Sequence, residues 1–352
     1  MMSPNRDRER TVLVTGGAGF MGANFVHYLW KHYPHYHIIV LDCLTYAGSV
    51  RNLPQAFSAK RNGRLEFWYG NVRNANQVDT LVAQSDMVIH FAAETHVTRS
   101  IYDDLLFFET DVLGTQVVAN AVLKHADRVE RFIHISTSEV YGTAQRETMD
   151  EEHPLNPLSP YASAKCGADR LVYSYWATYR IPAVIVRPFN NYGPRQHLEK
   201  VIPRFITSVI LGEPLTIHGD GSAARDFIHV EDTCRGLDML LHAPREQVVG
   251  QVFNLASGRH RTILSIAQDI IRLMDYGRER IVFIGDRPGQ VFRHTGDAAK
   301  ADRVLGWRPT IDWEQGLRET IAWYRDNRPW WESQLWMRAI PIRTKNGKVE
   351  LH

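Results

Sequence analysis

Thr11-Val12-Leu13-Val14-Thr15 runs directly into Gly16-Gly17-Ala18-Gly19-Phe20-Met21-Gly22, and the amphipathic stretch Ala23 to Trp30 follows. An apolar run, a glycine turn and a helical pattern in that order read as strand, phosphate loop and helix, the context that makes a glycine pattern informative. Glycine at 16, 19 and 22 allows a tight turn, close approach of a pyrophosphate and close packing of helix on sheet. The phosphates would lie at the helix N-terminus, where unpaired N–H groups and the helix dipole favour anions. The next strand, His37-Ile38-Ile39-Val40-Leu41-Asp42, ends in an acid about 20 residues past the last glycine. A carboxylate there suits the ribose hydroxyls of NAD and repels the extra phosphate of NADP, so the expected cofactor is NAD.

Outward from this unit, strands are expected at Leu65–Tyr69, Met87–Phe91, Arg131–Ile135 and Ala183–Val186, with helices at Asn76–Ala83, Leu113–Leu123 and Ala162–Thr178. The alternation predicts an α/β chain with a Rossmann-type doubly wound parallel sheet, covered on both faces, with ligands at the strand C-termini. After Pro194 the segments become shorter, less regular and richer in Pro and Arg, which predicts a smaller C-terminal substrate-binding lobe. The expected division is 8–195 for the NAD-binding part, with return segments near 226–258 that include a last strand at Val252–Leu255. Residues 196–225 and 259–328 are then the lobe, and 329–352 a tail. That tail carries Trp330, Trp331 and Trp336 and reads either as a packing arm or as an oligomer contact.

The candidate chemistry follows the Arg131–Ile135 strand. Thr137-Ser138-Glu139-Val140-Tyr141-Gly142 comes first, then Tyr161-Ala162-Ser163-Ala164-Lys165. A tyrosine and a lysine four apart share one face of a helix, and a nearby ammonium favours ionisation of a phenol. A phenolate can take the proton of a sugar hydroxyl while hydride leaves the same carbon. Glu139 adds a second base, which a simple alcohol oxidation does not require.

Composition excludes several classes. The formal charge is +2 over 352 residues, which gives no reason to expect a nucleic-acid partner. With 44% hydrophobic residues the chain can bury a large core, but no apolar run approaches the roughly 20 residues of a membrane span. No signal peptide is apparent before the first strand. Cys43, Cys166 and Cys234 are widely spaced and odd in number, which fits a reducing cytoplasm better than a disulfide framework or a zinc site. His27, His32, His35 and His37 are irregularly spaced and read as helix-end and surface positions, so no metal is expected.

Taken together these motifs resemble the extended short-chain dehydrogenase/reductases that modify nucleotide sugars, nearest to the dTDP-glucose 4,6-dehydratase group. The resemblance runs from about Thr11 to Asn327. It is carried also by Leu44-Thr45-Tyr46-Ala47-Gly48, His90-Phe91-Ala92-Ala93-Glu94-Thr95-His96-Val97 and Arg187-Pro188-Phe189-Asn190-Asn191-Tyr192-Gly193-Pro194-Arg195-Gln196. Gly219-Asp220-Gly221, Arg225-Asp226, Arg287-Pro288-Gly289 and Leu305-Gly306-Trp307 complete it. The resemblance implies NAD held by Gly16, Gly19, Phe20, Met21, Gly22, Asp42, Thr45, Asn71, Val72, Phe91, Ala92, Ala93, Thr110, Tyr161, Lys165 and Asn191. It implies a sugar nucleotide held by Glu94, Thr95, Thr137, Asn190, Lys200, Val201, Arg225, Asn254 and Arg287, with Arg225 and Arg287 clamping the pyrophosphate. Tyr161 would take the O4 proton as hydride moves from C4, Lys165 would also bind the nicotinamide ribose, and Thr137 would polarise the new ketone. Glu139 would take the C5 proton, and the C6 hydroxyl would leave as water. A homodimer through helices near Leu105–Leu123 and Ala162–Thr178 is also implied.

The chain departs from this group at three places. An aspartate usually precedes the glutamate, where Ser138 stands here; Ser-Glu also occurs in GDP-mannose 4,6-dehydratases and UDP-glucuronate decarboxylases. Thr216-Ile217-His218 replaces a Pro-Val-Tyr near the nucleobase, which leaves the base open and makes His218 a candidate contact. Gln290 replaces a histidine, and Asn71 an aspartate whose adenine hydrogen bond an amide oxygen can also accept. The first expectation is an NDP-hexose 4,6-dehydratase. Alternatives are a UDP-glucuronate decarboxylase, an NDP-sugar 4-epimerase, which has no use for Glu139, and a retired NAD-binding assembly protein.

Overall fold

The computed structural model describes residues 9–54, 63–277, 280–285 and 292–338, and the backbone of 341–343 and 349–351. The first six strands are Arg10–Thr15 (β1), Tyr36–Asp42 (β2), Leu65–Tyr69 (β3), Met87–His90 (β4), Arg131–Ile135 (β5) and Ala183–Pro188 (β6). With Val252–Leu255 they form one seven-stranded sheet in the order Val252–Leu255, β6, β5, β4, β1, β2, β3. All of its pairings are parallel. Because successive side chains point to opposite faces, Val12, Val14, Ile38 and Val40 fill one core. Leu13, Ile39, Leu41 and Val88 fill the other. Burial on both faces is why these strands read as unbroken apolar runs.

The strand order reverses between β1 and β4, and this opens a crevice above their C-termini. Helix Phe20–His32 starts there, directly after the glycine turn. Helix Pro160–Tyr179 lies on the neighbouring side; Ser159 caps it by accepting the Ala162 N–H, and Pro160 occupies the first turn, where its missing N–H costs nothing.

The expected Leu113–Leu123 helix is part of a longer run. Helical residues extend from Asp104 to Lys124, and Phe108–Gly114 form a π-helical turn. The wider turn presents Thr110 and Asp111 inward while Glu109 remains partly exposed. This run passes a length-and-composition test for a membrane span, but Glu109 and Asp111 interrupt it and half of its apolar window is buried inside the protein, as in the core helix of a folded domain.

A third core lies beyond β6, where Ile202, Phe205, Ile217, Ile266, Ile270, Leu317 and Ile321 pack together. Two boundaries differ from expectation. Ala299–Leu305 packs on the main sheet: Ala301 and Trp307 join its core, and the Trp307 indole donates to the Asp232 carbonyl. Asp232 also accepts the Thr310 and Ile311 N–H groups, so a buried carboxylate ties this segment down. The start of the tail is a packing arm. Trp331 is fully buried in the third core and donates to the Tyr324 carbonyl, and Trp330 donates to Asn52 across to the main sheet's side. Trp336 is exposed.

Candidate active site

The glycine turn is built by close approach. Gly16 has φ +67°, and a Cβ there would stand 2.5 Å from the Ala92 nitrogen. A Cβ on Gly22 would collide with the Gly16 carbonyl oxygen, so the first helical turn can sit tight on the loop only with glycine. Asp42, at the end of β2, accepts the Ala18 N–H (2.9 Å) and the Leu44 N–H (2.8 Å), locking the loop to the strand end. Burial pushes its carboxyl up; the surrounding N–H groups pull the other way without cancelling the shift.

A cavity of about 310 Å³ runs from this loop across the strand ends. Every residue expected to hold NAD is on its wall, as are Glu94, Thr95, Thr137, Asn190, Lys200 and Glu139. Among the described residues, the buried side-chain oxygens of Asn190, Asn191 and Gln196 on that wall have no hydrogen-bond partner. Buried polar groups are nearly always paired, so this wall is made for a polar ligand, and the glycine cradle, the acid and the unpaired amide oxygens together fit a dinucleotide.

The candidate side chains converge from different elements. Thr137 accepts the Glu139 N–H (3.2 Å), which shapes the 3-10 turn Ser138–Tyr141 and presents Glu139 at the cavity. Tyr161 and Lys165 come from one face of the Pro160–Tyr179 helix. Lys165 Nζ donates to the Ile135 carbonyl at 2.6 Å. The expected push of the lysine on the phenol is not what governs Tyr161 here. Burial drives the phenol well above its ordinary range; Asp111 and Glu139 add to this, and a hydrogen bond with Thr137 opposes it. Burial likewise pulls the Lys165 ammonium down, with Asp111 and Asp169 opposing.

Other expected residues fall elsewhere. Ser138 is buried in the turn, off the cavity wall. Asn254 is wholly buried, accepting from the Tyr141 hydroxyl (2.8 Å) and donating to the Met149 carbonyl (3.0 Å); its amide is spent on structure and unavailable to a substrate. Val201 opens helix Val201–Leu211 and is off the wall, while Lys200 donates to the Thr95 carbonyl (3.2 Å). His218 is also off the wall, its Nδ1 2.9 Å from the Gly285 carbonyl. Arg225 stands beside Glu139, Nε to Oε1 at 4.0 Å. Arg287 and Gln290 lie outside the described residues. His27 is on the first helix, its Nε2 3.0 Å from the Asn52 carbonyl, and no cluster able to hold a metal occurs among the described residues.

Sequence reasoning missed Glu199, which is buried on the cavity wall and accepts from the Tyr46 hydroxyl at 3.0 Å. Burial raises its carboxyl, but Lys200, His96 and His197 outweigh that and hold it below the ordinary range. Glu199 precedes a residue that had been singled out, and that adjacency was the one available signal. Asp111 was missed too. It accepts the Glu94 N–H at 2.8 Å, its other oxygen has no partner among the described residues, and burial pushes it up to about 7 with Lys165 opposing.

The chain is similar to proteins of known fold and activity. A dTDP-glucose 4,6-dehydratase of Actinoplanes sp. is 41% identical over 325 residues, covering 91% of this chain and 99% of that protein. The low-salt glycan biosynthesis protein Agl12 of Haloferax volcanii is 43% identical over 313 residues, 89% of this chain and 98% of that one. Among solved structures, DesIV, a dTDP-glucose 4,6-dehydratase from Streptomyces venezuelae with NAD and TYD bound, superposes with a TM-score of 0.86 at 38% identity, covering 92% of this chain and 99% of that one. The family model described as GDP-mannose 4,6 dehydratase matches residues 13–320, and the chain belongs to that family.

Proposed function

We propose that the protein is an NAD-dependent NDP-hexose 4,6-dehydratase, converting a nucleotide sugar to its 4-keto-6-deoxy form. The observation that carries the reading is the meeting of Thr137, Glu139, Tyr161 and Lys165 at one dinucleotide-shaped cavity. NAD bound along the glycine loop supplies the hydride acceptor and donor. Tyr161 takes the O4 proton, and Thr137, within hydrogen-bonding reach of that phenol, stands ready to polarise the 4-ketone. Lys165, fixed on the Ile135 carbonyl one helical turn from Tyr161, would bind the nicotinamide ribose. Glu139 removes the C5 proton, now acidified by the ketone. Asp42 selects against a 2′-phosphate.

Incubation with dTDP-glucose, UDP-glucose, GDP-mannose and UDP-glucuronate, followed by mass spectrometry, tests this directly. Loss of water from a hexose is expected; loss of carbon dioxide or an unchanged mass refutes it. Glu139→Gln should slow water loss by about 10²–10⁴ while leaving sugar-nucleotide binding intact.

A cytoplasmic homodimer completes the proposal. Leu105, Phe108, Leu113 and Tyr173 are exposed on the Asp104–Lys124 run and the adjacent Pro160–Tyr179 helix, a patch that a second copy of the same two helices would cover. A monomer by sedimentation at micromolar concentration would count against it.

A further inference from the structure

His294 is fully buried, and its Nε2 lies 2.6 Å from the Gly142 carbonyl oxygen. A carbonyl only accepts, so Nε2 carries the hydrogen, and in the neutral ring Nδ1 is then a bare lone pair. Among the described residues Nδ1 has no hydrogen-bond partner. The Glu139 carboxylate stands close to it, Oε1 at 3.9 Å. Two acceptors facing each other repel, and at that separation no hydrogen bond joins them. Burial pulls His294 down and keeps it neutral; Glu139 opposes this, while Arg225 and His153 reinforce it. Arg293, next in the chain, points away and donates to the Arg146 carbonyl.

We propose that His294 is the positioning residue for Glu139, its bare Nδ1 accepting the Glu139 O–H that forms when the glutamate takes a proton from substrate carbon. This rests on the dehydratase reading. In the step concerned, the C5–H bond breaks, its electron pair enters the enolate of the 4-ketone, and the proton forms an O–H bond on Glu139. At that moment repulsion between two acceptors becomes a hydrogen bond, so the carboxyl gains a partner only after it has acted as a base. Interactions made as the reaction proceeds, and absent before it, accelerate it.

Two variants separate this from a structural role. His294→Gln keeps a donor for the Gly142 carbonyl but places nothing at Nδ1; His294→Asn keeps an acceptor near Nδ1 but cannot reach Gly142. With whichever nucleotide sugar the wild type dehydrates, His294→Gln should melt like wild type yet turn over about 10–10²-fold more slowly. KM should be unchanged and the acid limb of the rate profile displaced to lower pH. His294→Asn should recover most of the rate. A glutamine variant at wild-type rate with an unmoved acid limb, or an asparagine variant no faster than glutamine, overturns the proposal. If the wild type eliminates water from no nucleotide sugar, the dehydratase reading falls and takes this role with it. Elimination by the wild type with no effect of the glutamine refutes the role of His294 alone.

Discussion

Tyr161, Lys165 and Asp169 follow one another at four-residue steps along the Pro160–Tyr179 helix, yet the two ends of that face are electrostatic opposites. At one end Asp169 meets Arg187 through two hydrogen bonds of 2.8 and 3.1 Å, and Arg187 also donates to the Tyr141 hydroxyl at 2.9 Å. Burial alone would raise Asp169, but Arg187 and Arg170 hold it below the ordinary carboxylate range. Burial raises Tyr141 to about 12, with Arg187 opposing. At the other end Asp111 keeps an unpaired oxygen among the described residues, and Lys165 and Tyr161 are both displaced against their charged forms. The same helix, equally buried, thus carries one saturated cluster and one unsaturated one. Saturation holds charge in place; incomplete pairing leaves protons able to move, which is what acid–base work needs.

The sharpest way to break this contrast is at its unsaturated end. Tyr161→Phe should cut turnover by about 10²–10⁴, with the thermal midpoint at or above that of wild type, since a buried hydroxyl is removed and no charge is orphaned. At the saturated end the effects should be reversed in kind. Arg187→Met leaves Asp169 buried beside only the partly exposed Arg170, and urea unfolding should show a loss of about 3–5 kcal/mol. If that variant kept its stability and lost activity alone, the two clusters would not differ as described.

A smaller effect concerns pH. Asp111 has its folded pKa raised above the unfolded value, so between about 4 and 7 the folded chain holds a proton that the unfolded chain has released. Stability therefore falls as pH rises through that window. Asp111→Asn should flatten the fall, and unfolding free energies measured on either side of the window will show whether it does.

Much of the site was legible because it is local. The glycine turn, the acid closing β2 and the Tyr161–Lys165 spacing each depend on a few consecutive residues whose geometry follows from backbone rules. What escaped was long-range or irregular. Arg187 ends a strand where chemistry was expected, but its partner is Asp169, met only through the fold. Asn254 was expected to hold the sugar nucleotide, yet its amide is consumed by Tyr141 and Met149. Asp111 faces inward because of a π-helical turn, which no hydrophobic period announces. The Ala299–Leu305 segment read as lobe because nothing local shows that Asp232 anchors the residues just after it, Thr310 and Ile311.

From the amino-acid order alone came the parallel sheet, the NAD-type loop and the candidates Glu139, Tyr161 and Lys165. Each is written in a few consecutive residues: an apolar run, a glycine turn, a four-residue helical step, or an acid just past a strand end. Tertiary structure alone decided which charges are satisfied and which are left wanting. It paired Arg187 with Asp169, left Asp111 half-bonded beside Lys165, and set the bare nitrogen of His294 opposite Glu139. Burial and partner identity decide whether a titratable group is structural or reactive, and both are properties of contacts between segments far apart in the chain.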